Sequence, residues 1–366
     1  MIVYLATRGH RFTMRAYLES WGRPLADRIV PLTYDDVVAA RSLREATYVF
    51  ADLERLAAAE TAAAGALQDA LRARGMRTLN DPMRSLRRYD LLRALHARGS
   101  NRFAAYRVAD AHAARFPVFV RCENDHEGSR TELLHNPSAL AAAIGALVRD
   151  GVVRNQLLVT EFCDTADGAG IYRKFSAFVV GDRVVPRHVF FSRRWMLKVP
   201  DLVTDALVAE ESAYVQGNPH ARELRTIFDV AGLQWGRIDY GVHDGALQVW
   251  EINTNPQILS FRDGGGPARL PIHARVAVAV RSALAAIDCT APPRRLRVSP
   301  PPPRAGNASR WSAGAVARAV ARRTGLMWHE ERLRRWARPL LVAAGRRRGA
   351  AETAAAGSAH VATADL

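Results

Sequence analysis

The strand–turn–strand pattern of residues 236–253 constrains the fold more than any other part of the chain. Asp244-Gly245 stands between two segments of alternating polar and apolar residues, which predicts an antiparallel hairpin. Side chains two positions apart on a strand share a face, so Glu251 and Asn253 point the same way. With Asp239 they supply three hard oxygen donors, which suit Mg²⁺ together with phosphate oxygens. The alternative is an exposed hairpin face with ordinary polar residues.

The two carboxylates of this hairpin can hold one metal only if they share a face. With a plain two-residue turn, Asp239 would lie opposite Trp250 and would point away from Glu251. We therefore predict that the hairpin is not a simple two-residue turn. A three-residue loop, or a bulge at Gly241, would place Asp239 opposite Glu251.

Composition excludes several broad classes of protein. Of the 366 residues, 49% are hydrophobic and 24% are charged, which allows a sizeable core and argues against wholesale disorder. The longest nearly apolar stretch, residues 276–287, is too short to span a bilayer, and the N-terminus does not read as a signal peptide. The three cysteines lie far apart and form neither a disulfide framework nor a zinc spacing. We expect a cytoplasmic protein without membrane contact.

The net charge of +16 belongs mainly to the C-terminal part of the chain. Residues 289–366 contain 15 arginines and 4 acidic residues, so they carry +11 and leave only +5 for residues 1–288. A linker rich in proline and arginine begins this segment. We predict a solvated basic tail, partly helical or disordered, and a contact with nucleic acid or anionic lipid is the less favoured alternative.

The order of the predicted elements indicates an α/β (α+β) fold ahead of this tail. Residues 1–80 alternate short apolar runs with helical segments, as in a small open sheet of βαβ type. Residues 81–288 form the second part. Its predicted strands, besides the hairpin, cover residues 116–122, 157–162, 172–180 and 184–191, and its predicted helices cover residues 82–98, 137–149 and 210–231.

Five segments in this order resemble the ATP-grasp superfamily, over about residues 80–288. The resemblance implies an ATP-grasp fold of two lobes, preceded by the open-sheet domain. Residues 116–121 are similar to a strand that ends in a phosphate-binding lysine, residues 125–129 to a phosphate-covering loop, residues 158–162 to the strand and linker that hold adenine, residues 172–182 to the following strand pair, and Glu251-Ile252-Asn253 to the metal-binding Glu-x-Asn motif.

The resemblance also implies roles for particular residues, with ATP and Mg²⁺ (or Mn²⁺) as cofactors. Asp239, Glu251 and Asn253 would hold the metal, and Lys198 and Arg237 would stabilise the transferring phosphoryl group. The implied ATP-binding residues are Arg121, His126 and Lys174, with the backbone of Glu161, Phe162 and Cys163 at adenine. His126 is alternatively a plain loop histidine, and Lys198 a plain surface charge.

The chain departs from the family in its phosphate-binding residues. No lysine precedes the predicted adenine linker, and Arg121 stands in the place of the second family lysine, while Arg102 or Arg107 stands near the place of the first. Arginine binds phosphate well through its planar fork, but it does not replace lysine neutrally where room is tight. Asn255, Ser260 and the loop at 263–266 fall where a second substrate often sits.

The leading functional hypothesis is an ATP-dependent carbon–nitrogen ligase. It would join a small-molecule carboxylate to an amine or similar nucleophile through an acyl phosphate and release ADP and phosphate. One alternative is a small-molecule kinase on the same fold. Another, suggested by the missing lysines, is a nucleotide-binding protein without turnover. The sequence leaves the substrates and a homo-oligomeric state open.

Overall fold

A computed structural model of the chain describes residues 1–40, 42–198, 200–261 and 266–289, together with the backbone of residues 295–297. The rest of the predicted basic tail, and most of the predicted substrate loop at 263–266, lie outside these residues. Within the predicted linker, the backbone of β13 (Arg295–Arg297) pairs antiparallel with residues 42–44.

A parallel sheet forms the N-terminal part of the fold. In chain order its segment contains β1 (Ile2–Ala6), α1 (Phe12–Leu18), β2 (Ile29–Thr33), α2 (Tyr34–Val38), β3 (Ser42–Arg44), β4 (Thr47–Phe50), α3 (Ala58–Arg72) and β5 (Thr78–Leu79). The strand order is β2-β1-β4-β5, and all its pairs are parallel. Every residue of β1 is buried, as expected for an inner strand of a parallel sheet. The predicted open sheet of βαβ type is confirmed.

A three-stranded antiparallel sheet forms the next part. Its segment contains α4 (Arg88–Ala97), β6 (Ala105–Arg107), β7 (Val118–Cys122), α5 (Pro137–Arg149) and β8 (Leu157–Glu161), in the sheet order β6-β8-β7. Val118 and Val120 pack in one hydrophobic cluster with Leu140 of α5. Because side chains alternate along a strand, Phe119 and Arg121 point to the opposite face.

A four-stranded antiparallel sheet forms the last part. Its segment contains β9 (Tyr172–Val180), β10 (Arg183–Ser192), α6 (Asp205–Gly217), α7 (Ala221–Ala231), β11 (Trp235–His243), β12 (Ala246–Asn253) and α8 (Leu270–Ile287), in the sheet order β10-β9-β11-β12. Gly181 and Asp182 form the turn that joins β9 to β10. Residues 210–231 are mostly helical as predicted, but they belong to two helices, because Asn218 adopts a left-handed conformation with a φ of 45° and Pro219 follows it.

Helix α8 corrects the expectation that no apolar segment is long enough to cross a membrane. Residues Pro267–Ile287 have the length and composition to do so. One face of α8, however, packs into the hydrophobic core through residues that include Val276, Val280 and Leu284. This packing is typical of the core helix of a globular domain.

Buried amide side chains fasten the parallel sheet to the four-stranded sheet. The Asn80 amide nitrogen donates to the carbonyl oxygens of Phe50 and Trp235 at 2.8 and 2.9 Å. Asn255 accepts hydrogen bonds from the Tyr4 and Thr13 hydroxyls at 2.7 and 2.6 Å. The Asn255 amide is therefore engaged with the N-terminal part, and not with the second substrate near which we predicted it.

Candidate active site

The β11–β12 hairpin brings the two predicted metal-binding carboxylates to opposed positions. Asp239 pairs with Glu251, and Arg237 pairs with Asn253, so the four side chains share one face of the sheet. The predicted convergence is confirmed. The predicted longer loop is wrong, because His243 pairs with Ala246 across a two-residue turn whose φ angles are 48° and 76°.

A β-bulge in β12 reconciles this tight turn with the opposed carboxylates. The strand pairing skips Trp250, which is the extra residue of the bulge. The bulge that we predicted at Gly241 of the facing strand is in the wrong place, because with this turn it would pair Asp239 with Val249 and not with Glu251. The Trp250 ring lies so close to Gly241 that a Cβ there would come within 2.8 Å of it. Trp250 also packs on Leu92 and Phe103.

Two guanidinium groups share one carboxylate oxygen of Glu251. Nη2 of Arg88 and Nη2 of Arg121 each lie 2.5 Å from Oε2, and Nδ1 of His126 lies 3.8 Å from Oε1. Burial raises the pKa of Glu251, but the charges of Arg88 and Arg121 outweigh burial and hold this pKa well below its usual range. Glu251 is therefore a carboxylate at neutral pH.

The Glu251 cluster (Arg88, Arg121, His126, Glu54 and Glu251) contains more positive than negative charge. Burial and the neighbouring Arg88 lower the pKa of Arg121 to about 10, which leaves the guanidinium charged at neutral pH. Burial lowers the pKa of His126, but hydrogen bonds to Glu251 and Glu54 outweigh it and raise the pKa to about 9. Three cations thus face two carboxylates, an arrangement that favours an added anion such as phosphate.

Asp239 is held by a second set of donors. Its Oδ1 accepts hydrogen bonds from the Ser176 hydroxyl at 2.8 Å and from Nε of Arg237 at 3.2 Å. Nζ of Lys174 lies 3.9 Å from Oδ2. Burial lowers the pKa of Lys174, and Asp239 opposes that shift. Lys174 and Arg237, both predicted site residues, therefore lie beside the predicted metal ligand.

The predicted ligands fit a cation that is bound together with phosphate. In the part of the chain that the structure describes, no three His, Cys, Asp or Glu side chains come together as a self-sufficient metal site. Asp239, Glu251 and Asn253 supply two opposed carboxylates and one amide oxygen, which now accepts from the backbone N–H of Asn255 at 2.8 Å. Mg²⁺ commonly takes one or two carboxylates and completes its shell with substrate phosphates.

The loop after β7 carries His126 and meets Lys198. Nε2 of His126 lies 3.0 Å from Oε1 of Glu54, which also ties this loop to the N-terminal part. Gly128 has a φ of 89°, and a Cβ there would come within 2.7 Å of the Lys198 side chain. The exposed Lys198 therefore lies across the loop that we predict to cover the phosphates.

Two backbone N–H groups of the predicted adenine linker already have partners in the fold. The backbone N–H of Glu161 donates to the Ala104 carbonyl at 3.0 Å, and that of Phe162 donates to the Pro117 carbonyl at 2.9 Å. The adenine contact predicted for the backbone of residues 161–163 therefore does not use these two N–H groups and stays a prediction. The half-buried Cys163 thiol donates to Oε1 of Gln248 at 3.8 Å, and burial raises its pKa.

The Glu161 carboxylate likewise has structural partners. It accepts from Nη2 of Arg115 at 2.8 Å and from the Tyr106 hydroxyl at 3.0 Å. Burial raises the pKa of Glu161, but the donors of Arg115 outweigh burial and lower it.

An aromatic side chain packs where the resemblance places adenine. The Trp195 ring lies 5.0 Å from Phe119 and 5.8 Å from Phe162, between ring centroids. Phe119 is two residues before Arg121 on β7 and shares its face. The Trp195 ring thus covers the face of β7 that leads to the Glu251 cluster.

Sequence reasoning missed Arg88, and it named Arg102 and Arg107 in its place. Arg102 forms an exposed ion pair with Asp244 at 2.7 Å, and Arg107 pairs with Glu123 at 2.6 Å. Arg88 is the first residue of α4, where the helix dipole disfavours a cation. That mismatch was the one available signal, because an arginine at a helix start needs an anionic partner elsewhere.

No protein-family model and no curated protein matches the chain. Similar solved structures include a D-alanine–D-alanine ligase from Bacillus anthracis complexed with ATP, which is 12% identical with a TM-score of 0.41 and covers 78% of this chain and 95% of its own. A RimK domain ATP-grasp protein from Sphaerobacter thermophilus is 16% identical, with a TM-score of 0.42 and coverages of 78% and 100%. An L-amino acid ligase from Bacillus licheniformis is 12% identical, with a TM-score of 0.40 and coverages of 77% and 73%.

These values describe a distant likeness in the path of the chain. The structure forms the strands predicted near residues 116–121, 158–162 and 172–182 and the carboxylate-bearing hairpin, as the resemblance to the ATP-grasp superfamily implies.

Proposed function

We propose that this chain is an ATP- and Mg²⁺-dependent ligase that joins a small-molecule carboxylate to an amine. The observation that carries the proposal is the opposed pair Asp239 and Glu251, with Arg88, Arg121 and Lys174 beside it. Carboxylates for a metal and cations for phosphate on one sheet face are the two requirements of phosphoryl transfer.

The cations of the site supply the phosphate contacts. When the phosphate chain enters, Arg88 and Arg121 move their hydrogen bonds from Glu251 to phosphate oxygens, and the freed carboxylate becomes available to the metal. Charge-assisted hydrogen bonds from arginine to phosphate are among the strongest in proteins. A metal held by Asp239, Glu251 and Asn253 would neutralise charge that develops on the phosphates.

The reaction has two steps. A substrate carboxylate oxygen bonds to the γ-phosphorus, the bond from that phosphorus to the bridging oxygen breaks, and ADP leaves. A neutral amine then bonds to the acyl carbon, phosphate leaves with the electrons of the broken carbon–oxygen bond, and the surplus amine proton passes to solvent. Lys174, Lys198 and Arg237 act by positioning the reactants and stabilising charge.

Product analysis by ³¹P NMR tests the proposal. The full chain is incubated with Mg·ATP and a panel of carboxylic acids, with and without a panel of amines. ADP and free phosphate that accumulate only when acid and amine are both present support a ligase. A stable phosphorylated acceptor that forms without amine supports the kinase alternative and contradicts the ligase.

A nucleotide-binding protein without turnover is the second candidate function. The ion pairs of Glu251 favour it, because a carboxylate that stays bound to Arg88 and Arg121 cannot hold the metal that phosphoryl transfer needs. ATP binding by calorimetry, without ADP release under any acid and amine pair, is the result that selects this candidate.

A further inference from the structure

A cavity of about 840 Å³ lies beside the Glu251 cluster. We name it the arginine cavity, because Arg55, Arg87, Arg107 and Arg154 contribute to its wall. Its lining comes from separate segments of the chain, namely residues 54–57, 87, 107–109, 123–124 and 154–157. The volume falls within the range of sites that bind small molecules.

Two acidic residues of the cavity wall connect the arginine cavity to the Glu251 cluster. Glu54 lines the cavity, and its Oε1 lies 3.0 Å from Nε2 of His126. Glu123 lines it too, and its backbone carbonyl accepts from Nη1 of Arg88 at 2.9 Å. A ligand in the cavity is therefore one residue away from groups that touch Glu251.

Two of the four cavity arginines have acidic partners. Arg107 pairs with Glu123 at 2.6 Å, and Arg55 pairs with Asp52 at 3.0 Å. The carboxylate of Glu54, the other acid of the lining, is engaged by His126. The acidic residues of the wall are thus already matched with cations.

Arg87 and Arg154 differ from Arg55 and Arg107 in their partners. Nη2 of Arg87 donates to the Leu56 carbonyl at 2.6 Å and to the Thr61 hydroxyl at 3.0 Å, and both partners are neutral. Among the residues that the structure describes, no carboxylate forms an ion pair with Arg87 or with the exposed Arg154. These two guanidinium groups give the cavity its surplus positive charge, while Leu56, Val108 and Leu157 give it apolar wall.

We propose that the arginine cavity binds the remote acidic group of an organic acid whose other carboxylate reaches the Glu251 cluster. The ligand class is an acid with two anionic ends, the remote one a carboxylate or a phosphate, joined by a short carbon chain. Guanidinium groups recognise both kinds of anion. This inference rests on the proposed function and names the class of its carboxylate substrate.

Calorimetric binding without nucleotide tests this inference separately from catalysis. The probes are glutarate, 3-phosphonopropionate and butyrate, which have similar chains and differ in the second anionic group. We expect the two dianions to bind at least about tenfold more tightly than butyrate. Tighter binding of glutarate identifies the remote group as a carboxylate, and tighter binding of 3-phosphonopropionate identifies it as a phosphate.

Substitutions of Arg87 and Arg154 test whether the dianions bind in the arginine cavity. Arg87→Ala should weaken dianion binding by about 10- to 100-fold and Arg154→Ala by about 3- to 10-fold, because each removes a charge-assisted contact. Arg149→Ala is the matched control, since Arg149 is exposed at the end of α5 and does not line the cavity. Because Arg87 also holds Leu56 and Thr61, Arg87→Lys and thermal melting check that the fold is intact.

The inference is overturned if butyrate binds as tightly as the dianions, if Arg149→Ala weakens binding as much as Arg154→Ala, or if no acid binds to the folded protein. Acid binding with these variant effects, but without turnover of ATP, supports the cavity and counts only against the ligase. Turnover of ATP without selective dianion binding counts only against the cavity.

Discussion

The β11–β12 hairpin and the linker at residues 161–163 differ in where their polar groups find partners. On the hairpin, the polar side chains Asp239 and Glu251 share a face and meet cations from other elements. On the linker, the Glu161 carboxylate and two backbone N–H groups are bound within their own lobe. The alternation of residues along a strand therefore fixes the direction of each side chain, whereas a linker at a strand end has no such pattern.

The largest effect is expected at the hairpin. Glu251→Gln should lower ATP turnover by at least about 100-fold, because it removes the proposed ligand of a metal that would stabilise the developing phosphate charge. Asp244→Asn is the matched control, since Asp244 lies at the turn of the same hairpin and is exposed. Steady-state ADP release measures both variants, and melting curves show whether they fold. Turnover by Glu251→Gln at the level of Asp244→Asn would place the chemistry elsewhere.

A substitution of Arg121 tests whether the cations that contact Glu251 also bind ATP. Arg121→Ala should weaken ATP binding by about 1.5–3 kcal/mol through loss of a charge-assisted phosphate contact. Arg121→Lys keeps the charge and should recover part of that loss. Calorimetry with Mg·ATP measures both. Equal ATP affinity of the wild type and Arg121→Ala would make the β7 strand merely structural.

A substitution of Glu161 tests whether the contacts of the linker stabilise the fold. Glu161→Gln should lower the free energy of unfolding by about 1–3 kcal/mol at neutral pH, because Arg115 loses its carboxylate. The pKa of Glu161 is lower in the folded chain, so its stabilisation is present above the unfolded pKa of about 4.3 and is lost as pH falls through the folded value.

Urea unfolding at neutral and acidic pH measures this effect, with Glu127→Gln as the control because Glu127 is 67% exposed. The difference between the wild type and Glu161→Gln should narrow below about pH 4. A difference that stays constant across this range would mean that charge is not what Glu161 contributes.

Trp195 is expected to give the smallest effect. Each aromatic pair stabilises the fold by about 0.5–1.5 kcal/mol. If the nucleotide displaces the Trp195 ring, the loss of these ring contacts lowers its net binding energy. Trp195→Ala should therefore bind ATP several-fold more tightly, and Trp195→Phe should lie between it and the wild type. Weaker binding by Trp195→Ala would mean that the ring contacts the nucleotide instead of competing with it.

The strand patterns predicted the fold well because a period of two residues has a direct geometrical meaning. It gave the shared face of Glu251 and Asn253, whereas the shared face of Asp239 and Glu251 was predicted from the needs of a metal site and depends on the bulge. The position of the bulge did not follow, since it depends on where Trp250 finds room beside Gly241.

The partners of the site could not be read from spacing. Arg88 starts a helix, and Glu54 follows a strand of the N-terminal sheet, so both reach Glu251 or His126 only through tertiary packing. No local pattern brings residues 88 and 251 together. The strand pattern and the resemblance therefore predict Glu251, Arg121 and His126, but they do not predict Arg88 and Glu54.

One titration tests the central claim, that Asp239 and Glu251 hold the metal that accompanies ATP phosphates. ATP is titrated calorimetrically into the wild type and into Asp239→Asn, each in Mg²⁺ and in EDTA. We expect tight binding by the wild type in Mg²⁺, and binding at least about tenfold weaker in EDTA and in Asp239→Asn. Equal affinity under all four conditions, or no ATP binding by the folded wild type, would contradict it.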